Sequence, residues 1–306
     1  MRKTLLLLLL LLALVLLAGC TVRHSETPAP APAETQAPAT APAPEPKAAP
    51  APTPEPTPEP TPEPTPALPT PKPRPAEEPG VQKARLMVGG DIVLALSLYD
   101  QAKQPDGSYD FTYFFQDIAP YIQEADYASC CFEAALCGDG VAYSGYPLFR
   151  APDSAAETLK NLGFDLVALG SNHGLDGFKE GLDRTLDVMD DLGLDHVGTF
   201  RSQEERNETS GVLLKEINGI RIAFLDYTYG TNGIPMYDYP YAMNVYTLDY
   251  MTNCSMIRTD MIKADMAYAR SLEPDLIAVI VHWGAEFITG RQPDRKSTRL
   301  NSSHGY

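Results

Sequence analysis

Four short clusters carry residue types suited to metal or hydrolytic chemistry: Gly90-Asp91, Phe132-Glu133, Ser171-Asn172-His173 with Asp176, and His282 with Glu286. Asp, Glu, Asn and His form the hard-to-borderline donor set that binds divalent metals such as Mn, Fe or Zn. Two such ions about 3.5–4 Å apart can clamp the attacking and leaving oxygens of a hydrolytic displacement. Each cluster alone also has a plainer reading. An Asp after Gly is commonly a turn residue, and an Asn-His pair can cap the helix that comes after it. His282 can be a satisfied structural histidine, and Glu133 can sit on a solvated face.

The clusters gain weight from where the pattern of apolar residues places them. Arg85 to Val88 reads as a short buried strand ending at Gly89-Gly90-Asp91, and Phe164 to Leu169 as one ending in Gly170-Ser171-Asn172-His173. Leu276 to Val281 is β-branched and delivers His282-Trp283-Gly284. Helical spacing covers Asp153 to Asn161, with Asp153 as cap and Gly163 as stop, and Met261 to Leu272. It also covers Phe178 to Leu192, with Leu182, Leu186 and Met189 on one face and Gly193 as stop. Val212 to Ile217 and Ile220 to Tyr227 alternate around Asn218-Gly219, the strongest short-range hairpin signal. Strands alternating with helices predict an α/β domain, and sites in open α/β sheets gather at the carboxyl ends of strands.

Outside that domain the composition changes. Of 29 prolines, 21 fall between Pro28 and Pro79, in repeats such as Thr-Pro-Glu-Pro. Such a stretch buries too little apolar surface to fold and behaves as a semi-rigid polyproline II spacer; roughly 60 residues at about 3.1 Å each reach at most about 190 Å. Ahead of it, Arg2 and Lys3, the apolar run Leu5 to Leu17 and the small pair Ala18-Gly19 form a secretory signal. That run is shorter than the roughly 20 residues a bilayer span needs. Leu17-Ala18-Gly19-Cys20 resembles the bacterial lipobox, which implies a diacylated Cys20 and the two-chain anchoring that holds stably to a membrane. The expected location is therefore the cell membrane, lipid-anchored and extracytoplasmic.

At the far end, Asp294 to His304 reads DRKSTRLNSSH, whose back-translation resembles a sequencing adapter. Residues 294–306 are accordingly expected to be foreign, and the natural sequence to be cut near Pro293. The segments are then 1–20 signal, 21–82 tether, 83–293 a truncated enzyme-like α/β domain and 294–306 tail. A formal net charge of −16 argues against nucleic-acid binding, which wants a basic face. Cys130, Cys131, Cys137 and Cys254 show no disulfide or zinc spacing and read mostly as buried thiols, with one disulfide open to them in an oxidising compartment.

Six segments in order resemble the CapA-like, poly-γ-glutamate capsule biosynthesis family over about Lys83 to Pro293. They are Val88 to Leu94, Asp126 through Glu133 to Leu136, Phe149-Arg150-Ala151-Pro152, Leu169 to Asp176, Asn218 to Leu225, and His282 to Phe287. The resemblance implies a calcineurin-like metallophosphoesterase sandwich of β-sheets flanked by helices, incomplete at the C-terminus. It further implies that Asp91, Glu133, Asn172 and His282 ligate divalent metal, two ions in all. His173 would be a general acid held by Asp176, and Arg150 would meet an anionic substrate group, as its guanidinium fork allows; a packing role for Arg150 is the alternative. The implied partners are an anionic envelope polymer such as poly-γ-glutamate and membrane synthase or export subunits. Three activities stay open: metal-dependent hydrolysis or transfer on that polymer, a non-catalytic binding or anchoring role in an export complex, and an extracytoplasmic phosphoesterase. Two departures matter. Cys131 stands where the family usually has Asn, and the family's Gly-His-His-Pro-His element lies past the end of this sequence, so the chain as written is expected to hold an incomplete, inactive site.

Overall fold

The computed structural model describes residues 80–138 and 140–284. The apolar leader with Cys20, nearly all of the tether, Glu286 and the 294–306 tail lie outside the described residues.

In chain order the elements are β1 (Leu86–Ile92), α1 (Leu96–Ala102), α2 (Ala119–Gln123), β2 (Tyr127–Phe132), β3 (Ala135–Leu136), β4 (Arg150–Ala151), α3 (Asp153–Leu162), β5 (Leu166–Ala168) and α4 (Phe178–Asp191). They continue with β6 (Asp195–Val197), α5 (Gln203–Thr209), β7 (Leu213–Ile217), β8 (Ile220–Thr228), α6 (Thr259–Ser271) and β9 (Leu276–His282). One sheet is parallel throughout, in the order β1-β2-β5-β6. A second has the order β7-β8-β9, with β7 antiparallel and β9 parallel to β8. The short strands β3 and β4 pair separately.

Strand alternation sorts the side chains into three apolar layers. Ala128, Cys130, Phe132, Val167 and Leu169 face the helical side, against Leu159 and Leu162 of α3 and Leu182, Leu186 and Met189 of α4. Tyr127, Leu166, Ala168 and Val197 point the other way and meet Ile222, Phe224, Ala278 and Ile280 of the second sheet. The outer face of that sheet, Ala223, Leu225 and Tyr227, is covered by α6 through Ala269, Met261, Ile262 and Met266. The fold is thus two sheets face to face with helices outside, an α/β sandwich. Each fully buried Leu in it contributes about 1.5–3 kcal/mol of transfer free energy.

The sequence signals place most of these elements. The Asn218-Gly219 hairpin forms with both residues at positive φ, 52° and 79°. Gly163 closes α3 in the left-handed region at φ 103°. Asp153 is the first residue inside α3 rather than its cap, which is Pro152. Its carboxylate instead takes both guanidinium nitrogens of Arg184 on α4, at 2.6 and 2.7 Å. The first strand runs past its predicted end to Ile92, because Gly89-Gly90 form an irregularity within it rather than a turn after it. All four described cysteines are free thiols.

A buried polar clamp joins the outer helices to the second sheet. Arg206 of α5 donates to both Asp265 carboxylate oxygens on α6 at 2.8 and 2.7 Å and to Asn244 Oδ1 at 2.8 Å. The Tyr227 hydroxyl of β8 donates to the same carboxylate at 2.9 Å.

Candidate metal centre

The candidate ligands lie near or just past the carboxyl ends of strands. In β1 the pairing with β2 slips between Val88, opposite Ser129, and Asp91, opposite Cys131. Two glycines thus face one partner residue, a bulge that re-aims the Asp91 side chain. A Cβ on Gly89 would lie 3.2 Å from the Ser129 carbonyl, a tight approach that glycine avoids. Glu133 comes directly after β2 and is fixed by its backbone N–H donating to Ile92 O at 3.1 Å. Asn172 and His173 sit in the tight turn after β5, and His282 is the last residue of β9, opposite Thr228.

These strand ends bring four of the predicted ligands together. His282 Nδ1 lies 3.6 Å from Asp91 Oδ1, and His282 Nε2 lies 3.4 Å from Glu133 Oε1 and 2.8 Å from Asn172 Oδ1. One ligand atom each from Asp91, Glu133 and His282 falls within 4.8 Å of the others. All are buried or nearly so, with Glu133 4% and His282 2% exposed. Glu133 Oε1 has no hydrogen bond despite complete burial, a cost that a cation between the three groups would offset. Two carboxylates, an imidazole and an amide oxygen fit a divalent transition metal. Among the described residues, Asp91, Glu133 and His282 are a group that could hold a metal ion.

The electrostatics reflect burial. Desolvation pushes the Glu133 carboxyl up, Asp91 adds to the rise and His282 opposes it, leaving it at about 7. For His282, burial works to lower the imidazole, but Asp91 and the Glu133 charge outweigh it and the group is raised. Both shifts favour the protonated forms, so a metal bound there would compete with protons for these groups.

Beside the cluster lies the predicted acid pair. His173 Nδ1 is 2.7 Å from Asp176 Oδ2, which also accepts from the Phe149 N–H at 2.6 Å. The Phe149 ring stands edge-on to the imidazole, centroids 4.5 Å apart. Arg150 is half-buried at this rim and donates through Nε to the Asp176 carbonyl at 3.3 Å. Cys131, the departure from the family pattern, is opposite Asp91 and joins the inter-sheet layer; burial, then the Asp226 and Asp91 charges, push its thiol up. Cys20 and Glu286 lie outside the described residues.

Two residues are not singled out by the sequence. Asp226 on β8 is fully buried, its Oδ2 accepting from Gly170 N–H at 2.7 Å, and burial pushes it up to about 8. It sits among Gly170 and Gly198, either of which would strike its carboxylate with a Cβ. A polar residue inside an otherwise apolar strand run, Ile220 to Tyr227, is the available signal. Asn232 reaches the turn after β5: its Oδ1 accepts from Asn172 Nδ2 at 3.0 Å. It belongs to a second Asn-Gly dipeptide, Asn232-Gly233, just past the end of β8.

A helix-flanked sandwich with carboxylates, an amide and an imidazole converging from strand ends defines a metallophosphoesterase-like protein of calcineurin-like fold. The model of the bacterial capsule synthesis protein PGA_cap matches residues 85–302, and the chain belongs to that family. It is also 24% identical over 223 residues to the capsule biosynthesis protein CapA of Bacillus anthracis, an alignment covering 71% of this chain and 50% of the relative. The chain thus spans about half the length of the curated relative it matches.

Proposed function

We propose that the protein is a lipid-anchored, extracytoplasmic capsule-biosynthesis component that cleaves or transfers an anionic envelope polymer, poly-γ-glutamate or a close relative, with a divalent metal. The observation that carries the proposal is the convergence of Asp91, Glu133 and His282, with Asn172 Oδ1 against His282. Those four residues would hold Mn, Fe or Zn. When bound, such a metal supplies Lewis acidity and lowers the pKa of water.

The chain's own residues account for the remaining tasks. Asp176 orients the His173 ring through Nδ1, and Nε2, which Asn232 Nδ2 approaches at 3.2 Å, is the nitrogen that would carry a proton to or from a substrate group. Arg150, anchored by Nε to the Asp176 carbonyl, can offer its terminal nitrogens to a carboxylate or phosphate. That positive group at the rim offsets the repulsion between a polyanion and a chain of net charge −16. The lipobox and proline stalk support the placement at the membrane surface, where a capsular polymer would be met.

The test is hydrolysis or transfer assayed with added Mn²⁺ in the full-length protein. Asp91→Ala and His282→Ala should each lower turnover about 100-fold, the upper end of the loss seen when even an outer partner of a metal ligand is removed. Full activity in both variants would sink the catalytic reading. Unimpaired co-purification with membrane synthase subunits in those variants would then assign the protein a binding role. Cleavage of a phosphoester in place of the polymer would make it an extracytoplasmic phosphoesterase.

A further inference from the structure

We propose that Asn232 is a positioning residue that fixes the Asn172 amide with its oxygen toward the Asp91–Glu133–His282 cluster. This rests on the metal-centre reading above and assigns a part to a residue 60 positions away from the turn it controls.

An asparagine amide presents an oxygen on one side and an NH₂ on the other, and only the oxygen can ligate a cation. Which side faces the cluster is decided by what the other side meets. Asn232 Oδ1 accepts from Asn172 Nδ2 at 3.0 Å, so the Asn172 oxygen is turned to His282 Nε2, 2.8 Å away. The other half of the Asn232 amide, Nδ2, lies 3.3 and 3.2 Å from the two ring nitrogens of His173. One side chain thus touches both members of the Asn-His pair.

The backbone explains how it does so. Asn232 and Gly233 both have positive φ, 49° and 79°, and the Ile234 N–H donates to the Thr231 carbonyl at 3.0 Å. That is a primed two-residue turn, which the Asn-Gly pair favours. It is pinned by the Thr231 hydroxyl donating to the Ile234 carbonyl at 2.6 Å and the Thr228 hydroxyl to the Gly230 carbonyl at 3.2 Å. The rest of Asn232 is solvent-exposed, so replacing it leaves the core intact.

The experiment compares Asn232→Ala and Asn232→Asp with the wild-type chain. Asp keeps an acceptor for Asn172 Nδ2 and tolerates the left-handed backbone; Ala keeps neither advantage. Mn²⁺ affinity by calorimetry should fall about 10-fold or more in Asn232→Ala, as for other outer partners of metal ligands, and stay within a few-fold of wild type in Asn232→Asp. In metal-free protein, the Asn172 side-chain N–H that bonds Asn232 Oδ1 should be shifted downfield and slow to exchange with solvent in wild type and in Asn232→Asp, and should lose both features in Asn232→Ala. An Asn232→Ala protein with wild-type affinity and an unchanged Asn172 NH₂ pair would overturn the proposal, as would equal loss in both variants. If the wild-type chain binds no Mn²⁺, the metal-centre reading fails by itself, and the metal-free NH₂ signals alone still decide whether Asn232 sets the amide.

Discussion

Glu133, Asp226 and His282 share one electrostatic consequence. All three are raised above their ordinary values: Glu133 from 4.5 to about 7, Asp226 from 3.8 to about 8, and His282 upward from 6.5. For a group raised in the folded state, the stability it contributes is complete below its ordinary value and is lost as pH rises through the folded one. The metal-free protein should therefore lose melting temperature across roughly pH 4.5 to 8. Added Mn²⁺, which takes the place of the protons, should raise the melting temperature more at the alkaline end of that range. Glu133→Gln, which cannot ionise, should flatten part of the slope. Calorimetric melts of wild type and variant over that range check this; identical slopes would show that Glu133 does not titrate there. At this scale the sequence is informative about identity and mute about partners. Asp91, Asn172 and His282 are legible because each comes after an apolar strand signal, whereas Glu133 stands out by residue type and by the family resemblance. Asn232 is not, because its role depends on a contact made across 60 residues.

Between residues and the whole fold, the turns decide whether the ligands meet. Gly163 and Gly198 both take positive φ, 103° and 99°, yet for different reasons. Gly163 simply ends α3, and a Cβ there would find nothing nearer than 3.8 Å. At Gly198 a Cβ would fall 2.2 Å from Asp226 Oδ2 and 2.9 Å from Gly170 N, the atoms that tie β8 to the turn bearing Asn172. Gly163→Ala should thus cost about 1–2 kcal/mol, the left-handed penalty alone. Gly198→Ala should cost a further ~1–3 kcal/mol from overpacking and weaken Mn²⁺ binding as well. Urea denaturation with a parallel metal titration separates the two, and equal effects would refute the distinction. The Gly163 stop and the Asn218-Gly219 hairpin are readable because local chemistry sets them. The full length of β1 is not, because Gly89-Gly90 makes a bulge against β2, and a bulge exists only relative to its neighbour.

On the scale of the entire chain, the domain and the leader make separate claims. The part-buried Arg206–Asp265–Tyr227 clamp and the three apolar layers hold the described domain together around the strand ends. The tether and Cys20 lie outside the described residues, and their reading rests on the order of charges, apolar run and small residues. If Cys20 is acylated, the protein made in a bacterial host should partition into the detergent phase, and Cys20→Ala should move it to the aqueous phase. Two buried acyl chains, each contributing about 0.8 kcal/mol per CH₂, make that difference large. Detergent-phase partition that survives Cys20→Ala would discard the lipid anchor.

The sequence by itself determined the α/β alternation, the hairpin and the helix stops, because periodicity and turn chemistry act over a few residues; the candidate ligands came from residue type and from the family resemblance. Only the tertiary structure decided that β1, β2, β5 and β9 end at one point, so that Asp91, Glu133, Asn172 and His282 form a single cluster. It also decided that Asp226 and Asn232 support them. Those placements come from sheet register and from contacts between segments far apart in the chain, where burial in a shared layer, rather than local preference, sets the geometry.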